Sequence, residues 1–396
     1  MKREARDIRD RMPRPVRRIP LSEGGLRKRA AGVILALLAA GLALFFSLRE
    51  LTRVDQGWTW IDAASKEGPV SEVRLYADLG AGEESALTER KRLSALFSEA
   101  SREITGLLSP YDPVPGQLNL YWINTHPNED LRVDARLVRA LKQAAEQGRW
   151  IFLGPVLEIW DGVYFSENGQ EAALADPRLD ADTAAAVRDL MALLSREDQI
   201  SLRFTGEDTV CLNLSPQLRA LGEEYGVRRY LDFGWTRNAF EADLLAEALT
   251  AAGWTRGLLS SPDGFTRCLD GRGSFLAEIR AEQDGKTVTF AQREYQGPAA
   301  VAQLVPAPAG SRARSFRYED GSLRTPWISA ADGLDRRPVD GLTLVGPGGS
   351  CGDLAGRALA LLTGDDFDWA RWQEAAGAGI RMSALLDGKL YETDSP

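Results

Sequence analysis

Two stretches of the chain have the make-up of an anion site. Residues 230–269 read as a short apolar run (Tyr230, Leu231, Phe233), then Gly234 and an amphipathic helix with apolar residues at Phe240, Leu244, Leu245, Ala248 and Leu249. A second strand at 257–259 and a turn at 260–264, SSPDG, complete the unit. A glycine-bearing turn between strand and helix gathers backbone N–H groups at one point, which suits phosphate and equally suits a plain turn. The second stretch, 346–352 (GPGGSCG), precedes a helix carrying Asp353. It reads as a backbone-amide nest for phosphate or as a flexible loop, and it has neither the lysine nor the glycine spacing of the common nucleotide loops. Asp353 and Arg357 stand one helical turn apart, the spacing of an ion pair. The single histidine, His126, sits in NTHP with no acid pattern nearby, which argues against a histidine-based triad. Cys211, Cys268 and Cys351 lack metal-ligand spacing and read as buried free thiols, with one oxidised pair as the alternative.

The elements that must position these residues follow from periodicity. A strand is expected at 73–79 and a long helix at 87–107 with Leu93, Leu96, Phe97, Ile104 and Leu107 on one face. A helix capped by Asp134 and closed at Gly148 covers 131–147, and another covers 178–195. Two short strands fall in 200–214, three alternating runs in 273–296, a loop or weak strand in 297–310 and a strand at 315–318.

Ahead of this lies a different kind of sequence. Residues 1–29 hold eleven Lys/Arg against four acids, whereas the whole chain of 396 residues carries −9, so the remainder is acidic and gives no reason to expect nucleic-acid binding. Residues 30–48 are uncharged and apolar, long enough to span a hydrocarbon core as a helix. The basic cluster places the N-terminus in the cytoplasm and the bulk outside the cell. A cleaved signal peptide competes, but FFSLRE at 45–50 has no small-residue cleavage site. The expected organisation is a basic cytoplasmic tail (1–29), a transmembrane helix (30–48), a membrane-proximal linker (49–72) and an ectodomain (73–396). Trp58 and Trp60 either lie at the membrane interface or begin the fold.

Several of these stretches resemble the FAD:protein FMN transferase (ApbE-like) family. Leu231, Asp232, Gly234, Phe240 and Asp243 match a segment that in the family reads LDLGGIAKGYAVD, and Gly264 stands at its later Gly-Gly turn. Ser109, Tyr111, Asp112 and Pro113 match a Ser-aromatic-Pro stretch, and Gly154, Pro155, Leu157 and Trp160 match a Gly-Pro followed by Trp. The C-terminal part from Pro326 to the closing strand follows in the same order, so the likeness spans roughly 73–393. The resemblance implies an α+β fold with mixed or antiparallel sheets and flanking helices. It implies an FAD pocket touched by Ser109, Tyr111, Gly234, Asp243 and Gly264, and a Mg²⁺ held by Asp353. It also implies transfer of FMN to a Thr of a membrane flavoprotein.

At the reactive positions the chain departs from that pattern. Asn238 stands where the family has Lys, Trp327 where it has His, and Arg357 where it has the metal-binding Thr. No catalytic residue is therefore assigned, and Mg²⁺ has a poor seat. The expectation is a membrane-anchored extracytoplasmic protein with impaired or lost transferase activity, in a flavin-binding or accessory role. The alternatives are a divergent active Mg-dependent transferase and a surface interaction module that binds no nucleotide.

Overall fold

The computed structural model describes residues 23–51, 56–64, 70–82, 84–271, 273–306 and 315–393. Most of the basic tail lies outside these residues. Two compact units divide the chain, 1–55 and 56–396.

In the first unit, α1 (Glu23–Leu51) carries the apolar run. Its described apolar side chains are exposed, Leu35 at 71% and Leu37 at 67%. Among the described residues no helix is long and apolar enough to cross a membrane.

The second unit is built on an eight-stranded sheet whose spatial order repeats the chain order. The strands are β1 (Gly57–Ile61), β2 (Arg74–Leu79), β3 (Gly257–Ser260), β4 (Phe265–Cys268), β5 (Ala299–Leu304), β6 (Gly341–Pro347), β7 (Arg381–Leu386) and β8 (Lys389–Glu392). Every adjacent pair is antiparallel. Trp58 and Trp60 thus begin the fold: within the stretch read as a linker, β1 forms the sheet edge, with Trp60 opposite Tyr76.

Helices α2 (Ala86–Leu107), α5 (Arg237–Ala251) and α6 (Cys351–Leu362) pack together, α2 on α5 and α5 on α6, and α5 and α6 lie against the sheet. Ser85 caps α2 by accepting from the Thr88 amide. Phe97 and Ile104 of α2 and Phe240, Leu245 and Leu249 of α5 are buried, as their spacing requires. A long hairpin, Ser274–Gln283 with Lys286–Gln296, packs beside β5 and β6, where Tyr295 and Ala277 meet Val301 and Val345. Between β2 and β3 the chain makes a helical excursion that includes α3 (Ala135–Glu146), capped by Asp134, and α4 (Gly154–Tyr164). It also holds a small sheet of Leu131–Arg132, Ile200–Thr205 and Thr209–Leu214.

Four expectations need correction. The helix expected over 131–147 spans Ala135–Glu146, because Leu131 and Arg132 pair with Val210 and Thr209 as a strand ahead of the Asp134 cap. The run 230–233 is not a strand. Asn124 stands in for one, its Oδ1 accepting from the Tyr230 and Leu231 amides at 3.0 and 2.8 Å while its Nδ2 donates to the Leu231 carbonyl at 3.0 Å. The three runs in 273–296 are two strands, because Asp284 and Gly285, both at positive φ (51° and 76°), form a two-residue hairpin turn and the polar residues around them remain paired. The segment read as a loop or weak strand contains β5, which lies inside the sheet between β4 and β6 with Ala299, Ala300, Val301, Ala302 and Leu304 all buried.

Candidate functional site

The start of α5 is fixed by its neighbours before any ligand is considered. Gly234 has φ of 55°, and a Cβ there would lie 3.1 Å from Leu157, so glycine meets both the backbone and the space requirement. Its amide donates to Asp232 Oδ1 at 2.8 Å. The chain then makes one 3-10 turn (Gly234–Thr236) and enters α5 at Arg237.

Beside this turn lies a cavity of about 450 Å³, within the size range of small-molecule sites. One wall is apolar and partly aromatic: Trp235, Trp327, Leu304 and Val305, with exposed Phe165 at the mouth. Trp327 is 2% exposed. Trp235 is stacked on Phe265 with ring centres 5.9 Å apart. Ser109, Tyr111 and Asp112 form another part of the lining.

The polar side of the cavity is organised by two pairs. Arg237 Nε donates to Glu241 Oε1 at 2.8 Å, and its Nη2 donates to the Thr105 carbonyl at 2.7 Å. Glu241 is buried and also accepts from the Ser71 and Thr105 hydroxyls. The guanidinium is thereby held with one face already bonded, and Nη1 has no partner among the described residues. In the second pair, Asn238 Nδ2 donates to Asp263 Oδ2 at 2.9 Å, while the Ser261 hydroxyl donates to Asp263 Oδ1. Burial raises the Asp263 carboxyl to about 7, a shift its hydrogen bonds from Ser261 and Asn238 only partly offset. Near neutral pH this group can take up or release a proton in the cavity it lines.

The structure gathers some of the candidate residues here and places others elsewhere. Ser109, Tyr111, Gly234, Asn238 and Trp327 line the cavity together, although they come from widely separated parts of the chain. Gly264 lies instead where β4 meets β5: with φ of 100°, a Cβ there would fall 1.8 Å from the Gln303 carbonyl oxygen. Its role is close backbone approach.

Asp243, read as a cofactor residue, is mostly buried and does not line the cavity. Its Oδ1 and Oδ2 accept from the Cys351 and Gly352 amides at 2.9 and 2.8 Å. Burial raises this carboxyl to about 6, and the two N–H donors work against the shift. Of the two readings of 346–352, these contacts argue against the phosphate nest. Its amides at the start of α6 are taken by a carboxylate of the protein itself, and Ser350 Oγ accepts from the Asp353 amide at 2.9 Å.

Asp353, expected to hold a metal, is exposed in the first turn of α6. Its Oδ1 accepts from Gln143 Nε2 at 2.7 Å, and it borders a separate surface hollow with Gln147, Arg357 and Arg371. Among the described residues no ion pair joins Asp353 to Arg357, and no cluster of three His, Cys, Asp or Glu side chains could hold a metal. His126 packs on Trp122 and lines a larger cavity of about 820 Å³ on the other side of Tyr111. All three cysteines are buried and free.

Reading the sequence missed Asp263 and gave Arg237 no role. Arg237 and Glu241 have the i, i+4 spacing that could have flagged them. Asp263 sits in a Pro-Asp-Gly turn, a pattern that carries no sign of burial.

The chain is similar to the ApbE protein of Thermotoga maritima MSB8, at 16% identity and a TM-score of 0.59 over 81% of this chain and 93% of that one. It is similar to the flavin transferase ApbE from Vibrio cholerae, at 16% identity and a TM-score of 0.57 over 87% and 98%. Pseudomonas stutzeri flavinyl transferase ApbE, in its apo form, gives 15% and 0.51 over 86% and 96%. No protein-family model and no curated protein matches the chain. The second unit therefore has the α+β ApbE-like fold that the resemblance implied, at an identity that establishes the fold alone.

Proposed function

We propose that the protein is a membrane-anchored, extracytoplasmic flavin-nucleotide-binding protein on the flavin-transferase fold, with transferase chemistry impaired or lost. The observation that carries this reading is the cavity at the start of α5. It joins a braced guanidinium, Arg237, to an apolar wall containing Trp235 and Trp327. Phosphate suits the first and a flat ring system the second. The solved relatives named for flavin transfer supply the nucleotide class.

Impairment is supported by the residues at the reactive positions. Asn238 is a neutral amide bonded to Asp263 and cannot act as an ammonium; Trp327 is a buried indole with no basic nitrogen. The anchor is supported by α1, whose described residues expose Val33, Ile34, Leu35, Leu37 and Leu38 in succession, a surface that an apolar surrounding would cover. The basic residues before it favour a cytoplasmic N-terminus.

One observation favours a second reading, a divergent active transferase. Asp263, with its carboxyl near 7, is suited to accept the proton of an attacking hydroxyl. The two readings separate when full-length protein in detergent is given FAD, Mg²⁺ and an acceptor polypeptide bearing the family's Thr. Reversible FAD binding without covalent flavin on the acceptor is expected. Covalent flavin at many turnovers per enzyme supports the active transferase, and no binding of FAD at sub-millimolar concentration removes both.

A further inference from the structure

We infer that the anion-binding element of this cavity is the Arg237 guanidinium, and that nucleotide phosphate binds there without a divalent cation. The inference rests on the flavin-nucleotide reading and specifies how that site recognises its ligand.

The ApbE-like fold implies a Mg²⁺ beside the pyrophosphate, and the residues present do not fit one. A small hard cation of this kind needs near-octahedral oxygen ligation. Of the two side chains at the implied metal positions, one is a guanidinium, Arg357, which offers no lone pair. The other, Asp353, is exposed in the first turn of α6, bonded to Gln143 and outside the cavity lining. The α6 amides nearby are capped by Asp243 and Ser350.

Arg237, in contrast, lines the cavity and is preorganised. Glu241 and the Thr105 carbonyl hold Nε and Nη2 and leave the remaining donors for a ligand. Glu241 is 2% exposed and has three donors of its own, so the pair is locked in place before a ligand arrives. An arginine fork matches the oxygens of a phosphate in geometry as well as charge, which a lysine ammonium does not. Four carboxylates line the cavity, Glu72, Asp112, Glu241 and Asp263; Glu241 is taken by Arg237, Ser71 and Thr105 and Asp263 by Asn238 and Ser261, and among the described residues no three such side chains come together as a metal site.

The test is calorimetric titration of full-length protein in detergent with FAD, and separately with inorganic pyrophosphate, in excess EDTA and in millimolar Mg²⁺. The expected result is the same affinity in both media to within a factor of about two. Arg237→Lys should weaken both ligands by about 10- to 100-fold, as loss of charge-assisted hydrogen bonds predicts. Asp353→Ala should leave both unchanged. Since Arg237 also braces α2, Arg237→Gln serves as a second variant, and circular dichroism melts of each variant confirm folding. A gain of tenfold or more on adding Mg²⁺ that is lost in Asp353→Ala overturns the inference and leaves the flavin reading standing. Pyrophosphate binding that depends on Arg237, without FAD binding, overturns the flavin reading and leaves the anion site. Failure of both ligands overturns both.

Discussion

Asn238 Nδ2 lies 2.9 Å from Asp263 Oδ2, joining the first turn of α5 to the turn between β3 and β4 across the floor of the cavity. The bond sets a neutral amide against a carboxyl that burial has pushed up to about 7. Whether that carboxyl is charged near neutral pH therefore decides what the cavity accepts.

Asp263 should make binding and stability depend on pH. Its carboxyl is raised from 3.8 to about 7, so between those values the folded chain keeps a proton that the unfolded chain has released. Stability then falls as pH rises from about 4 to about 7, and an anionic nucleotide meets growing repulsion over the upper part of that range. Asp263→Asn should flatten both profiles, with its stability gain over wild type larger at pH 8 than at pH 5. Asp243, raised to about 6, gives the same sign over a lower, overlapping range, so the comparison of wild type with Asp263→Asn, in which Asp243 is unchanged, separates the two. Thermal melts and FAD titrations between pH 5 and 8 check this.

Asn238→Lys puts an ammonium where the amide now sits. Opposite charge beside Asp263 should lower its carboxyl, move the pH dependence of nucleotide binding below 6, and strengthen phosphate binding. The same FAD titrations across pH measure the shift; an unmoved profile would show that Asp263 does not control it.

Asp243→Ala strips two amides at the start of α6 of their acceptor. A loss of about 1–3 kcal/mol in urea unfolding is expected, with FAD affinity unchanged because Asp243 lies outside the cavity lining. Weaker FAD binding in a fully folded variant would return Asp243 to the nucleotide site.

Asn124→Ala removes the side chain that pairs with the 230–231 backbone, leaving two buried amides and a carbonyl unpaired. The expected cost is about 2–4 kcal/mol, at the upper end for a hydrogen-bonding residue. Loss of nucleotide binding should accompany it, since this segment sets Gly234 and the entry to α5. Urea unfolding followed by titration of the folded fraction tests both.

The sequence made some of this legible. α2 follows from three-and-four spacing and α3 from Asp134 at its start and Gly148 at its end, signals that act within a few residues of chain. The resemblance singles out Ser109, Tyr111, Gly234, Asn238 and Trp327, and these residues line one cavity. What stayed hidden depends on partners far away in the chain. The 230–233 run looks like a strand because nothing local announces that Asn124 will take its amides. β5 looks weak because alanines between prolines score poorly until both neighbours, β4 and β6, are present. Asp243 looks like a cofactor contact, and Asp263 like a turn residue, until the amides and walls that surround them arrive from elsewhere.

The placement of the excursion between β2 and β3 bears on how the chain reaches this state. Arg74 and Ser260 are paired across two adjacent strands, yet residues 80–256 separate those strands in the chain. During synthesis the β1–β2 hairpin emerges long before its only lateral partner, with Trp58, Trp60 and the alternating Leu75, Ala77 and Leu79 uncovered. Such late pairing slows folding and leaves an open edge to wrong partners. Chaperone capture of nascent chains should accordingly concentrate on lengths that end before β3 is made, and fall once it is.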